Sequence, residues 1–133
     1  MVIKTATKKK ILDVLVWLIS LNLAWVFIQY GWPKFDSEGF WSGAFIKWGY
    51  GIYFMHFIGV LEVGGAIAIL IPRIATFGGI TLATVMLGAI TTRLIHGVSI
   101  EDATSILVWM ITALFIALYW LQYFPFVTLE EKS

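Results

Sequence analysis

Composition, four long apolar segments and the distribution of basic residues predict an all-α fold, an integral-membrane four-helix bundle with a short interfacial helix in the first outer loop. Of the 133 residues, 60% are hydrophobic and 13% are charged, and the mean hydropathy is +0.90. One small water-soluble core cannot bury so many apolar side chains, so much of their surface must face lipid. The length fits a single transmembrane domain, residues 1–133.

Four segments are long and apolar enough to cross a bilayer, since a spanning helix needs about 20 mostly apolar residues. They are residues 11–31, 52–71, 74–95 and 104–124. The first apolar run is longer than the core of a secretory signal, typically about 7–15 residues, so we expect it to be retained as a span. Only Pro72–Arg73 separates the second segment from the third. These two helices should therefore be antiparallel neighbours joined by a tight turn.

The basic residues predict how the spans are oriented. An even number of spans places both termini on one side of the membrane, and that side collects more lysine and arginine than the other. The richer side has Lys4, Lys8, Lys9, Lys10, Arg73 and Lys132, and the other has Lys34, Lys47 and Arg93. Because positive residues accumulate on the cytoplasmic side, we expect both termini in the cytoplasm.

The first outer loop, residues 35–51, carries aromatic residues at helical spacing. Trp41, Phe45 and Trp48 recur at i, i+4 and i+7. This spacing predicts a short interfacial helix with the three rings in the membrane boundary. Because the pattern covers only two turns, an irregular aromatic-rich loop is the alternative.

The third span carries small residues at four-residue spacing, Ala75, Gly79 and Ala83. Small residues let helix backbones approach closely, and such packing holds helices together in lipid. We interpret this stripe as a structural feature and not as a groove for a cofactor.

Glu62 is the most informative polar residue, because it lies near the middle of the second span. Counting about 1.5 Å per residue places Asn22 of the first span at nearly the same depth. A carboxylate in hydrocarbon costs about 2.5–3.5 kcal/mol on insertion scales, so Glu62 should face the bundle interior. We therefore expect a structural polar pair of Asn22 and Glu62. Two roles for Glu62 remain open, a hydrogen bond between helices and a catalytic exchange of protons.

A second group of polar residues gathers at the outer helix ends. Pro33 disfavours helix at the residue before it, so the first span should stop there and Lys34 should emerge at the boundary. Arg93, His56 and His96 fall near the same level, and we expect the four residues to form a ligand-binding cluster. The alternative for Lys34 is a lipid anchor among tryptophans.

Several kinds of site are not expected. The absence of cysteine excludes iron–sulfur clusters and thiolate metal sites in this chain. His56 and His96 are its two histidines and could in principle ligate haem, but lone interfacial histidines are usually hydrogen-bonded, so we expect neither haem nor a metal. A net charge of +1 gives no broad basic surface for nucleic acid. Without a nucleotide-binding or hydrolase motif, the chain is unlike a complete enzyme.

Short motifs along most of the chain resemble the DoxX family of small four-helix membrane proteins. They are Gly31–Trp32–Pro33–Lys34, Leu61–Glu62–Val63–Gly64–Gly65, Ile71–Pro72–Arg73–Ile74–Ala75, and the third span around Met86 and Ala89. The resemblance implies membrane redox chemistry of the kind performed by thiosulfate:quinone oxidoreductases, with Lys34 and Glu62 at the family's characteristic polar positions. It also implies a multi-pass protein of a prokaryotic inner or plasma membrane.

Two functional hypotheses follow from this resemblance. In the first, the chain is a subunit linked to quinone chemistry, with sulfur-compound oxidation as one setting; Lys34, Arg93 or His56 binds a quinone oxygen and Glu62 exchanges a proton. In the second, it is a non-catalytic accessory subunit of a larger membrane complex. The expected partners are the lipid bilayer, other membrane or redox subunits, and further copies of the chain. A small transporter is a weaker alternative that would require oligomerisation.

Overall fold

A computed structural model describes residues 5–97 and 100–123, and all of their secondary structure is helical. The five α-helices are α1 (Thr5–Gly31), α2 (Phe40–Lys47), α3 (Ile52–Ala68), α4 (Ala75–His96) and α5 (Ile100–Tyr119). Short 3-10 helices follow α1 and α5, at Trp32–Phe35 and Trp120–Tyr123. The structure thus confirms the predicted all-α architecture with its additional short helix. Lys4 and Lys132, used in the orientation argument, lie outside the described residues.

The four long helices form a bundle in which α1 and α4 each contact both α3 and α5. The buried core takes side chains from every one of them, including Phe27, Ala66, Leu82 and Ile116. Large apolar side chains also cover the outside, and Leu118 is 72% exposed. Exposure of this apolar surface to water is unfavourable, whereas contact with the apolar chains of lipid is not. The protein is therefore a membrane protein whose outer surface contacts lipid.

Three stretches within the described residues are long and apolar enough to cross a membrane, Thr7–Phe35, Ala75–His96 and Ala103–Gln122. The apolar helix α3 is shorter, with 17 residues. At about 1.5 Å per residue it is about 25 Å long, at the lower limit for a span. The predicted second span, 52–71, is thus too long at its C-terminal end. Pro72 disfavours helix at the residue before it, and the chain leaves α3 through two successive tight turns.

Small residues bring α4 close to both of its neighbours. A Cβ atom added at Gly79 would lie 2.5 Å from the carbonyl oxygen of Ala113 in α5. One added at Gly78 would lie 2.7 Å from the Cβ of Ala68 in α3. These distances are far below a normal carbon contact, so only glycine fits. The predicted packing role of the small residues in this helix agrees with this geometry.

Candidate functional site

The turn after α1 carries Lys34 back into the bundle. Pro33 ends the α-helix, as predicted, and the 3-10 turn Trp32–Phe35 follows it. Two glycines let this turn approach α3 closely. A Cβ atom added at Gly59 would lie 3.2 Å from the Cβ of Lys34, and one added at Gly31 would lie 2.9 Å from the Cβ of Glu62. As a result Lys34 is only 5% exposed.

Lys34 and Glu62 form a buried ion pair. The Nζ of Lys34 lies 2.7 Å from Oε1 of Glu62. It also donates to the carbonyl oxygen of Tyr30 at 3.1 Å and lies 4.2 Å from the ring centroid of Trp41. Glu62 itself is 1% exposed. The ammonium is therefore held by a carboxylate, a carbonyl and an aromatic face, an arrangement that a lipid anchor does not require.

The expected pair of Asn22 and Glu62 is wrong. Asn22 is exposed, because the buried face of α1 at this level is formed by Leu23, Ala24 and Phe27. Counting residues along a straight helix also misjudged the level, because a Cβ atom added at Gly31, near the end of α1, would lie 2.9 Å from the Cβ of Glu62. The partner of Glu62 comes instead from a turn that folds back toward the bundle interior.

One oxygen of Glu62 is without a partner in the described part of the chain. Among the described residues, no group hydrogen-bonds to its buried Oε2 atom. A buried acceptor that stays unsatisfied costs about 1–3 kcal/mol, more when it is charged. A ligand with a hydroxyl or amine group would satisfy this oxygen.

Glu62 and Lys34 both line a cavity of about 360 Å³ near the end of the bundle that carries α2. This volume lies in the range of sites for small organic molecules. Most of its wall is aromatic or aliphatic, and Arg93 adds a second cation. The aromatic wall consists of Phe27, Tyr30, Trp41, Phe45, Trp48, Tyr50, Phe54, Phe57 and Trp109. An apolar cavity with a few charged groups at one place suits a flat ligand with polar atoms at its edge.

Helix α2 closes the cavity. Its existence confirms the predicted short helix in this loop, while the location of its rings in the membrane boundary stays a prediction. Trp41, Phe45 and Trp48 line the cavity, and Phe45 is 5% exposed. The helical spacing does place the three rings on one face, which covers the apolar opening of the bundle. The opposite face carries the exposed Phe40 and Ile46.

The two histidines do not join Lys34 and Arg93 in the expected ligand-binding cluster. The Nδ1 atom of His56 lies 2.8 Å from the carbonyl oxygen of Lys34, so His56 supports the turn that carries the lysine. The exposed His96 lies beside Trp48, with ring centroids 6.4 Å apart. Both residues lie outside the cavity lining within the described chain. Of the four predicted cluster residues, the structure brings Lys34 and Arg93 to the cavity and leaves the histidines at its periphery.

Two further polar contacts were not anticipated from the sequence. The hydroxyl groups of Tyr50 and Thr92 lie 2.7 Å apart at the cavity wall. The hydroxyl of Tyr119 donates to Asp13 at 2.5 Å and links α5 to α1. Short-range patterns do not reveal either pair, because their members are far apart in the sequence. The glycines at 31 and 59 are the clearest signals that could have indicated the close approach at Lys34.

Comparison with curated proteins and with solved structures gives no match. The model of the DoxX-like family, in contrast, matches residues 11–120. This range includes the ion pair, the helix that closes the cavity and nearly all of the bundle. The family resemblance predicted from the short motifs is thereby confirmed, and the chain belongs to the DoxX-like family.

Proposed function

We propose that this protein is a membrane subunit of quinone-linked redox chemistry, and that its cavity binds the quinone head group. The observation that carries the proposal is the buried Oε2 atom of Glu62, an acceptor with no partner among the described residues, at the wall of an aromatic cavity. A hydroxyl of the reduced head group would fill that position.

The cavity suits a quinone ring in size and in chemistry. Its volume of about 360 Å³ is sufficient for a single substituted ring, and three of the seven tryptophans line it. Flat aromatic walls favour a flat ring through stacking and edge contacts. Arg93 lines the same cavity and is the group we assign to the opposite ligand oxygen, as a donor.

A quinone held by Glu62 and Arg93 would take up two electrons and two protons to become a quinol, with one proton passing through Glu62 and the other coming from the aqueous phase. The role of Glu62 is to exchange a proton with the ligand oxygen at Oε2, while the ammonium of Lys34 stabilises the carboxylate through Oε1. The aromatic side chains of α2 exclude water from these groups. Since the chain has no cysteine to hold an iron–sulfur cluster, we assign the electron donor to a partner subunit that oxidises a reduced compound, such as a sulfur compound.

Quenching of tryptophan fluorescence tests this function directly, because tryptophans line the cavity. In purified protein, Arg93→Gln should weaken binding of a benzoquinone head group at least about tenfold, since a charged hydrogen bond contributes about 1.5–3 kcal/mol. Arg73→Gln is the matched control, because Arg73 is exposed in the turn at the opposite end of the bundle.

Glu62→Gln separates the two redox states of the ligand. The substitution should weaken binding of the quinol more than binding of the quinone, because only the quinol presents an O–H group to this side chain. If Arg93→Gln and Glu62→Gln both leave quinone and quinol binding unchanged, the cavity is not a quinone site. The accessory-subunit alternative would then be the better account of this protein.

A further inference from the structure

Helices α3 and α4 are close together near their connecting turn, and their other ends line the cavity. Near the turn, a Cβ atom added at Gly65 would lie 2.8 Å from Leu82. Farther along α4, a Cβ atom added at Gly88 would meet nothing within 4 Å, although this residue lines the cavity. Tight packing near the turn thus gives way to cavity lining farther along the two helices.

The same region is where the cavity reaches the outer surface of the bundle. Phe57 of α3 lines the cavity and is also 54% exposed. On α4, Thr84 and Gly88 line the cavity and are exposed as well. The hydroxyl of Thr84 donates to the carbonyl oxygen of Ile80 in its own helix, at 2.8 Å. The edge of this opening thus presents mainly apolar groups.

The other sides of the cavity are covered by aromatic side chains. The rings of Tyr30 and Trp109, with centroids 5.3 Å apart, lie between α1 and α5. Phe45 of α2 covers the end of the bundle and is itself buried. The polar groups that would bind a ligand head, at Glu62 and Lys34, lie inside these walls. A ligand that enters between α3 and α4 comes from the lipid-facing surface.

We propose that this gap, which we call the α3–α4 opening and define by Phe57, Thr84 and Gly88, admits a lipid-soluble ligand sideways into the cavity. The ligand class is a quinol or quinone with a long apolar chain, its head at Glu62 and its chain leaving between the helices into lipid. This inference rests on the proposed function and adds the route of access and the requirement for a chain.

Gly88→Leu tests the opening without disturbing the core. The new side chain would project into open space, and leucine favours helix more than glycine does. Gly64→Leu is the matched control, because Gly64 is also exposed with nothing within 4 Å of an added Cβ, yet it lies outside the cavity lining. Both variants should fold, which circular dichroism would verify.

Binding is measured by tryptophan quenching in lipid nanodiscs with two probes, a benzoquinone carrying a decyl chain and the same head group without a chain. Gly88→Leu should weaken binding of the decyl quinone about tenfold and change binding of the chainless head by less than about twofold. Gly64→Leu should change neither. Unchanged binding of the decyl quinone in Gly88→Leu would overturn the proposal, as would an equal loss for both probes, which would indicate a collapsed cavity.

The two proposals fail in different ways. If the chainless head binds and responds to Arg93→Gln, but Gly88→Leu has no effect, the quinone site stands and the α3–α4 opening is wrong. If the chainless head does not bind to any variant, the proposed function itself is wrong.

Discussion

Lys34→Met is expected to destabilise the protein strongly, because it removes the positive partner of a buried carboxylate. The Glu62 side chain would keep its position at 1% exposure but lose the ammonium that lies 2.7 Å from Oε1. Breaking a buried ion pair from one side typically costs about 3–5 kcal/mol. The lost contact with the ring of Trp41 adds to this cost. The population of unfolded protein should therefore rise at least about a hundredfold.

The measurement is equilibrium unfolding in mixed micelles, followed by circular dichroism and by tryptophan fluorescence. A double-mutant cycle with Glu62→Gln isolates the pair, because the double variant no longer leaves a charge buried alone. The loss of unfolding free energy in the double variant should be at least about 2 kcal/mol smaller than the sum of the losses in the two single variants. Lys47→Met, at an exposed lysine of α2, should change stability by less than about 0.5 kcal/mol. Additive effects of the two single changes would refute the reasoning, since they would mean that the charges do not interact.

Two other outcomes test the packing and the orientation of the bundle. Gly79→Ala should destabilise the protein by about 1–3 kcal/mol, because the new Cβ would lie 2.5 Å from the Ala113 carbonyl oxygen. Gly64→Ala is the control and should be neutral in the same unfolding assay. Single cysteines placed at Lys8 and Lys47, in a chain with no native cysteine, should react with a membrane-impermeant thiol reagent from opposite sides of the membrane. Reaction of both from one side would exclude the predicted topology.

The helices were largely predictable because apolar length and helix-stopping residues are local properties of the sequence. Pro33 was a reliable stop, and the spacing of Trp41, Phe45 and Trp48 correctly indicated a helix. Boundaries were less predictable. The first helix already begins at Thr5, since lysine favours helix but lowers the hydropathy that marks a span. The direction of the α2 rings could not be read from spacing, which shows that residues share a face but not what that face covers.

The site was only partly predictable, because its central contact joins residues that are 28 positions apart. Depth counting identified Glu62 as a polar residue within the bundle, and the end of the first span drew attention to Lys34. Their pairing depends on a turn that reverses the direction of the lysine, and on two glycines that allow close approach. Counting along straight helices cannot represent such a turn. The cavity was even less predictable, because its lining comes from all five helices.

The contact between His56 and the turn at Lys34 has a consequence for the orientation of the imidazole ring. A carbonyl oxygen only accepts hydrogen bonds, so the Nδ1 atom of His56, 2.8 Å from the Lys34 oxygen, must carry the hydrogen. The other nitrogen, Nε2, lies 3.4 Å from the hydroxyl of Ser37, which can donate or accept as required. The imidazole ring is therefore held at both of its nitrogens, and His56 ties the turn that carries Lys34 to α3.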